Sequence, residues 1–278
     1  MAAGNPVAFG GAILPPMAMR TAFRSSNPAL GSKSFGGFVG TAAGPGMSTA
    51  AQSTTMTING TVDKTAILLA VTTVAAIWPW RLFFRTGDPE LLFPWMAIGS
   101  IAGFVTALIT IFKKSWAPAT APIYAACEGL ALGSLSALFE VRYPGIVLRS
   151  MALTFATLGV MLVAFRTKAI RATEGFKLGV VAATGAIALV YLASMLLGLF
   201  GVNVGIWSSS SPLSIGISLV VVVVAALNLV LDFDVIQQGA ARGAPKYMEW
   251  YGAFGLLVTL VWLYLEMLRL LSKLNQRR

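Results

Sequence analysis

The 278-residue sequence contains no histidine and a single cysteine, Cys127. Without histidine there is no Ser-His or Cys-His catalysis, no His-ligated metal or haem, and no imidazole to switch near neutral pH. One thiol allows neither an intrachain disulfide nor a cysteine metal cluster. Charge is scarce too. Asp, Glu, Lys and Arg make up 11% of the chain, against about 25% in an average soluble domain. Acidic residues are absent from residues 1–60 altogether. Any proton chemistry falls to carboxylates, Lys, Tyr or the lone thiol. No enzymatic activity, catalytic residue or bound cofactor is expected.

What is abundant is apolar surface. Hydrophobic residues are 57% of the chain, and the mean hydropathy is +0.80. One water-soluble core cannot bury that much, so the expected solvent is a lipid bilayer. The net charge of +10 sits in short basic clusters between apolar runs. That pattern is a topology signal rather than a nucleic-acid face. Seven runs approach the roughly 20 residues needed to cross the hydrocarbon as a helix: 65–84, 91–112, 118–140, 145–165, 177–201, 211–237 and 248–272. The fold class is therefore an all-α integral membrane protein, a seven-helix bundle. The first span is the weakest, because Pro79 and Arg81 interrupt it. The long uncharged stretch from Leu178 to Leu231 breaks at Asn203 and at Ser208–Pro212. Small residues such as Gly129, Gly133, Gly179 and Gly185 predict close helix packing.

Two regions follow. Residues 1–62 read as a flexible, disordered tail rich in Gly, Ala, Ser and Pro, although their acid-free composition also fits an organellar transit peptide. Residues 63–278 form the transmembrane domain. With the N-terminus cytoplasmic, cytoplasmic loops carry Lys113, Lys114, Arg166, Lys168, Arg171, Lys177, Arg242 and Lys246, and opposite loops carry Arg81, Arg85, Arg142 and Arg149. The excess matches the positive-inside rule. The basic C-terminus (Lys273, Arg277, Arg278) falls on the wrong side.

Ionisable groups at membrane depth cost roughly 2.5–3.5 kcal/mol each on insertion scales and usually face a bundle interior or a water path. Glu128 lies in the third span, Asp232 and Asp234 close the sixth, and Glu266 lies deep in the seventh. Asp232 and Asp234 point about 160° apart on a helix, so they cannot share one site. Antiparallel neighbours pack side by side, so one of them is expected near Glu266, where two poorly solvated carboxylates would share a proton. The plainer readings are an i,i+3 ion pair between Glu266 and Arg269, interfacial residues at a helix end for Asp232 and Asp234, and a neutral hydrogen-bonded acid for Glu128.

The motifs Glu128-Gly129-Leu130-Ala131-Leu132-Gly133, Tyr143-Pro144-Gly145-Ile146-Val147, Phe233-Asp234-Val235 and Leu263-Tyr264-Leu265-Glu266-Met267-Leu268-Arg269-Leu270-Leu271 occur in that order. With them, the chain from about residue 65 onward resembles the transmembrane Bax inhibitor motif (Bax inhibitor-1-like) family, in its bacterial branch with a longer N-terminal tail. The resemblance implies a bundle whose seventh helix is central, surrounded by the other six. It implies residence in the bacterial inner membrane. It also implies a pH-sensitive calcium leak gated by acids on helices six and seven, matching Asp234 and Glu266. These would be closed by a shared proton at low pH and would offer transient oxygen ligands to Ca²⁺ when ionised. Glu266 stands where many relatives have Asp. Asp232, Glu128 and Arg269 are supporting candidates, and Lys113 or Lys114 would take the place of a basic latch seen in some relatives. Expected partners are the bilayer, Ca²⁺, protons and other membrane proteins, with no nucleic acid.

Two other classes compete. One is an interaction protein regulating a membrane protease or a cell-death pathway through the basic tail. The other is a secondary transporter with Asp234, Glu266 and Glu128 as a proton relay, for which broken helices and paired repeats are lacking. A retinal receptor lacks a buried lysine within the seventh span, and a rhomboid-type protease lacks histidine.

Overall fold

In a computed structural model, the described residues are 54–201 and 211–277. Most of the expected tail, together with Asn203, Ser208 and Arg278, lies outside them. Seven helices follow one another: α1 (Ile58–Thr86), α2 (Leu92–Phe112), α3 (Ala117–Arg142), α4 (Ile146–Arg166), α5 (Glu174–Leu199), α6 (Pro212–Ala241) and α7 (Met248–Gln276). All seven are long and apolar enough to cross a membrane. The chain is an all-α seven-helix membrane protein, and among the described residues there is no β-sheet, only an isolated bridge between Thr55 and Pro245.

The boundaries follow local chemistry. Thr57 caps α1 by accepting from Gly60 N at 3.0 Å, which satisfies one of the helix's orphan donors. As a result α1 begins at Ile58 rather than at residue 65. It also runs through Pro79. Ser211 caps α6, with Pro212 at its first position, where a missing N–H costs nothing. Thr hydroxyls bond back to carbonyls four residues earlier, as Thr72 does to Leu68 and Thr154 to Ser150. Their donors are thereby satisfied without water.

α7 is the most buried span, followed by α6. It packs against α1, α3, α4 and α6. The resemblance implied a seventh helix surrounded by the other six, and α7 does lie innermost; α2 packs chiefly on α3, and α5 packs chiefly on α6 while reaching α7 through Tyr191. The reason lies in the side chains. α3 meets α1 through Gly129 and Gly133, where an added Cβ would run into the carbonyls of Thr72 and Ala76. α2 meets α3 through Gly99, where a Cβ would sit 2.6 Å from the Cys127 carbonyl. Small residues at four-residue spacing let backbones touch. α5 offers no such close approach: Gly175, Gly179, Gly185 and Gly198 face open space.

The bundle has a near end, with the start of α1 and the α6–α7 turn, and a far end, with the α1–α2 and α3–α4 connections. At the near end the chain before α1 is clasped to the α6–α7 turn. Met56 N donates to Ala244 O at 2.6 Å, and Lys246 N donates to Thr54 O at 2.9 Å. Glu249, with no exposed surface, accepts from Thr57 N at 3.0 Å and Thr57 Oγ1 at 2.8 Å. Lys246 Nζ stands 2.9 Å from the same carboxylate and Lys64 Nζ 3.9 Å.

Candidate functional site

The polar interior lies where α5, α6 and α7 meet. On α5, Lys177, Thr184 and Tyr191 are spaced by seven, which keeps all three on one face. Each engages a polar residue of the neighbouring helices. Towards the near end, Lys177 Nζ lies 2.9 Å from Asp234 Oδ2 and 3.3 Å from Glu174. Gln238 Nε2 donates to the same Asp234 oxygen at 2.5 Å. In the middle, Asn228 Nδ2 donates to Thr184 Oγ1 at 2.8 Å. Beyond it, Tyr191 OH donates to Glu266 Oε1 at 2.7 Å. The Arg269 guanidinium stands 2.6 Å from that oxygen, donates to Tyr191 OH and lies 5.1 Å from the Tyr191 ring centre.

Behind this stripe the α6–α7 interface carries two more buried polar contacts. Thr259 Oγ1 donates to Asp232 Oδ2 at 2.6 Å, and Asp232 has no exposed surface. At the far end Lys273, 2% exposed, donates to Ser218 Oγ at 2.8 Å and Ser214 O at 3.3 Å. Glu266 is 1% exposed, and among the described residues its Oε2 has no hydrogen-bond partner.

The structure does not bring Asp234 and Glu266 together. The near-end turn sets the register of α6 on α7, placing Asp232 opposite Thr259. Glu266 is seven residues further along α7, about 10 Å deeper. The two acids lie at different depths, each held by its own α5 residue, so they do not form one calcium site. Among the described residues there is no cluster of three or more metal-ligating side chains. The expected divergence of Asp232 and Asp234 is seen: one faces α7, the other α5. Arg269 does form its i,i+3 pair with Glu266.

The remaining candidates lie elsewhere. Glu128 sits on the α2-facing side of α3, where a Cβ at Gly103 would be 3.2 Å from its Oε2. Among the described residues, Lys113 and Lys114 form no ion pair with an acid. Lys113 Nζ lies 5.0 Å from the Trp116 ring centre and Lys114 Nζ 5.7 Å from that of Tyr251. Sequence reasoning missed Lys177, Thr184 and Tyr191, the α5 partners of Asp234, Asn228 and Glu266, and Lys273, the partner of Ser214 and Ser218. It passed over Glu249 entirely. The heptad spacing on α5 was the available signal for the first three.

Neither a curated protein nor a solved structure matches the chain. The family model described as Bax inhibitor 1 like matches residues 21–276. That span covers all seven helices and every residue of the polar seam, so the chain belongs to the Bax inhibitor 1-like family of membrane proteins.

Proposed function

We propose that the protein is a pH-sensitive cation leak in which α5 is the gate, with Ca²⁺ the ion that the family resemblance suggests. One observation carries this reading: α5 is the least buried span, and it meets the bundle through three polar contacts at Lys177–Asp234, Thr184–Asn228 and Tyr191–Glu266. Apolar packing gives little net attraction between helices in lipid, and interhelical hydrogen bonds contribute about 0.6–2 kcal/mol each. A helix tethered in this way can be released by removing two or three contacts. Behind it lie Asp232, Asp234, Asn228 and Thr259, hard oxygen ligands suited to Ca²⁺. With α5 in place, Arg269 and Lys273 guard the far end against cations.

The sign of the pH response follows from the partners. Asp234 faces Lys177 and Glu174 of α5 and Gln238 of its own helix, and Glu266 faces Tyr191, Arg269 and Lys273. Of these, only the Lys177–Asp234 ion pair ties α5 to the bundle through opposite charges, and it is lost when the carboxylate binds a proton. Flux should rise as pH falls. A proton shared between Asp234 and Glu266 would give the opposite sign. The test is Ca²⁺ flux into liposomes between about pH 5 and 8, with Asp234→Asn and Glu266→Gln beside the parent. Asp234→Asn should raise flux at the upper end and flatten the profile, and Glu266→Gln, whose amide oxygen can still accept from Tyr191, should change it less. Flux that grows with pH, or that neither substitution alters, rejects the α5 gate.

The near-end clasp favours a second reading. A partner that seizes the chain before Thr57 pulls directly on the α6–α7 turn, which suits a regulator of another membrane protein. Flux that survives deletion of residues 1–53 while a cellular phenotype is lost would favour it.

A further inference from the structure

Unpaired positive charge gathers at the near-end connection between α4 and α5. Arg166 ends α4, and Lys168 and Arg171 follow within residues 167–173, which contain no acid. All three residues are exposed. Among the described residues none of them forms an ion pair. The nearest acid in the chain, Glu174, stands 3.3 Å from Lys177. Basic side chains at a helix C-terminus commonly settle on its last carbonyls. Here those carbonyls are taken by the connection's own backbone. Thr167 N donates to Val163 O at 2.9 Å, Lys168 N to Phe165 O at 3.1 Å and Ile170 N to Ala164 O at 3.2 Å.

The turn is also strained. Lys168 has φ 58°, and among the described residues it is the one non-glycine residue with positive φ. Glycine would take that conformation at no steric cost. An outlier of this kind points to a use for the side chain. Below the turn, Val160 and Val163 of α4 and Leu178 of α5 expose apolar surface. The three cations therefore stand where the lipid-facing walls end, at headgroup level. The N-terminus of α5 beside them adds the positive end of its dipole.

We propose that the α4–α5 connection binds the phosphate of an anionic membrane phospholipid through Arg166, Lys168 and Arg171, and that a bound lipid holds the near end of α5 against α6. Charge complementarity selects a lipid of net negative charge, because a zwitterionic headgroup brings its own cation. The hold on α5 rests on the gate proposed above; the binding does not.

The test takes the full chain in phosphatidylcholine nanodiscs with phosphatidylglycerol as the minor lipid and counts the lipid retained in native mass spectrometry. Phosphatidylglycerol should be retained in preference. Arg166→Gln, Lys168→Gly and Arg171→Gln should each lower that retention, by about fivefold. Lys168→Gly also relieves the positive φ, so its thermal midpoint should hold or rise while lipid is lost. A fall in both would mark Lys168 as structural and overturn its role. Arg81→Gln, Arg85→Gln and Arg142→Gln together remove three charges at the far end and should leave most of the retention. Equal loss in that variant would show only general attraction to a basic protein and overturn the site. Phosphatidylglycerol should also slow hydrogen exchange at the start of α5, in the parent but not in the variant lacking all three near-end cations. Protons gathered by an anionic surface act in the opposite direction, since a lower local pH loosens α5. Lipid retained at the connection with no change in α5 exchange would overturn the hold. Inorganic phosphate that slows the exchange equally in pure phosphatidylcholine would overturn the assignment to lipid. Flux that fails the pH test above would reject the gate and leave the binding result standing.

Discussion

The two flanks of this bundle are assembled by opposite means. α1, α2 and α3 lock together through glycines whose missing side chains let backbones touch, at Gly99, Gly129 and Gly133. α5 lies against α6 with no such fit and holds on through Lys177, Thr184 and Tyr191. The first kind of contact does not depend on pH, because no ionisable group takes part. The second kind is made largely of ionisable groups. Within one membrane domain, sterically fitted helices supply the frame and a polar-tethered helix supplies the movable part.

The largest effect is expected from filling a glycine. Gly129→Leu should push α1 off α3 and lose monodisperse protein on size exclusion, since overpacking costs about 1–3 kcal/mol and backbone collision more. It should do so equally at every pH. Next in size is Asp232→Ala, which removes a fully buried carboxylate together with the hydrogen bond it accepts from Thr259 and should cost about 1–3 kcal/mol, read as a fall in thermal midpoint. Lys177→Met tests the movable side. It should speed hydrogen exchange across α5 while α1 and α3 keep their protection, and should remove most of the pH dependence of that exchange. In the parent protein, α5 protection should fall as the pH is lowered, because the Lys177–Asp234 ion pair needs an ionised carboxylate. If α1 and α5 lose protection together, the division between frame and gate fails. The smallest effect belongs to Thr184→Val, about 0.6 kcal/mol, seen as a slight rise in α5 exchange with flux little changed.

How much of this was readable beforehand depends on whether the determinant is local. Span number and ends come from runs of apolar residues, and observed helices such as Leu92–Phe112 and Ile146–Arg166 lie within a residue or two of the expected limits. The start of α1 was misplaced because Asp63 and Lys64 look like an ending. The helix extends past them only because Thr57 caps it and Glu249, far along the chain, receives the Thr57 amide. The opposed directions of Asp232 and Asp234 follow from helical geometry alone and were legible. The depth of Glu266 was not. It depends on how residues 242–247 turn between α6 and α7, and a shift of two helical turns separates a proton-sharing pair from two independent contacts. The partners on α5 were hidden for a related reason: α5 meets α7 only by reaching past α6, and a sequence does not print such an adjacency.

The contact between Thr57 and Glu249 also bears on the order in which the protein is made. The two residues are 192 positions apart. α1 emerges first from the ribosome, yet the amide at its opening turn receives its acceptor only when the last helix has been synthesised and has entered the bundle. Until then the first helix waits in the membrane with an unfinished end, and the arrival of α7 completes the first span and the last in one event.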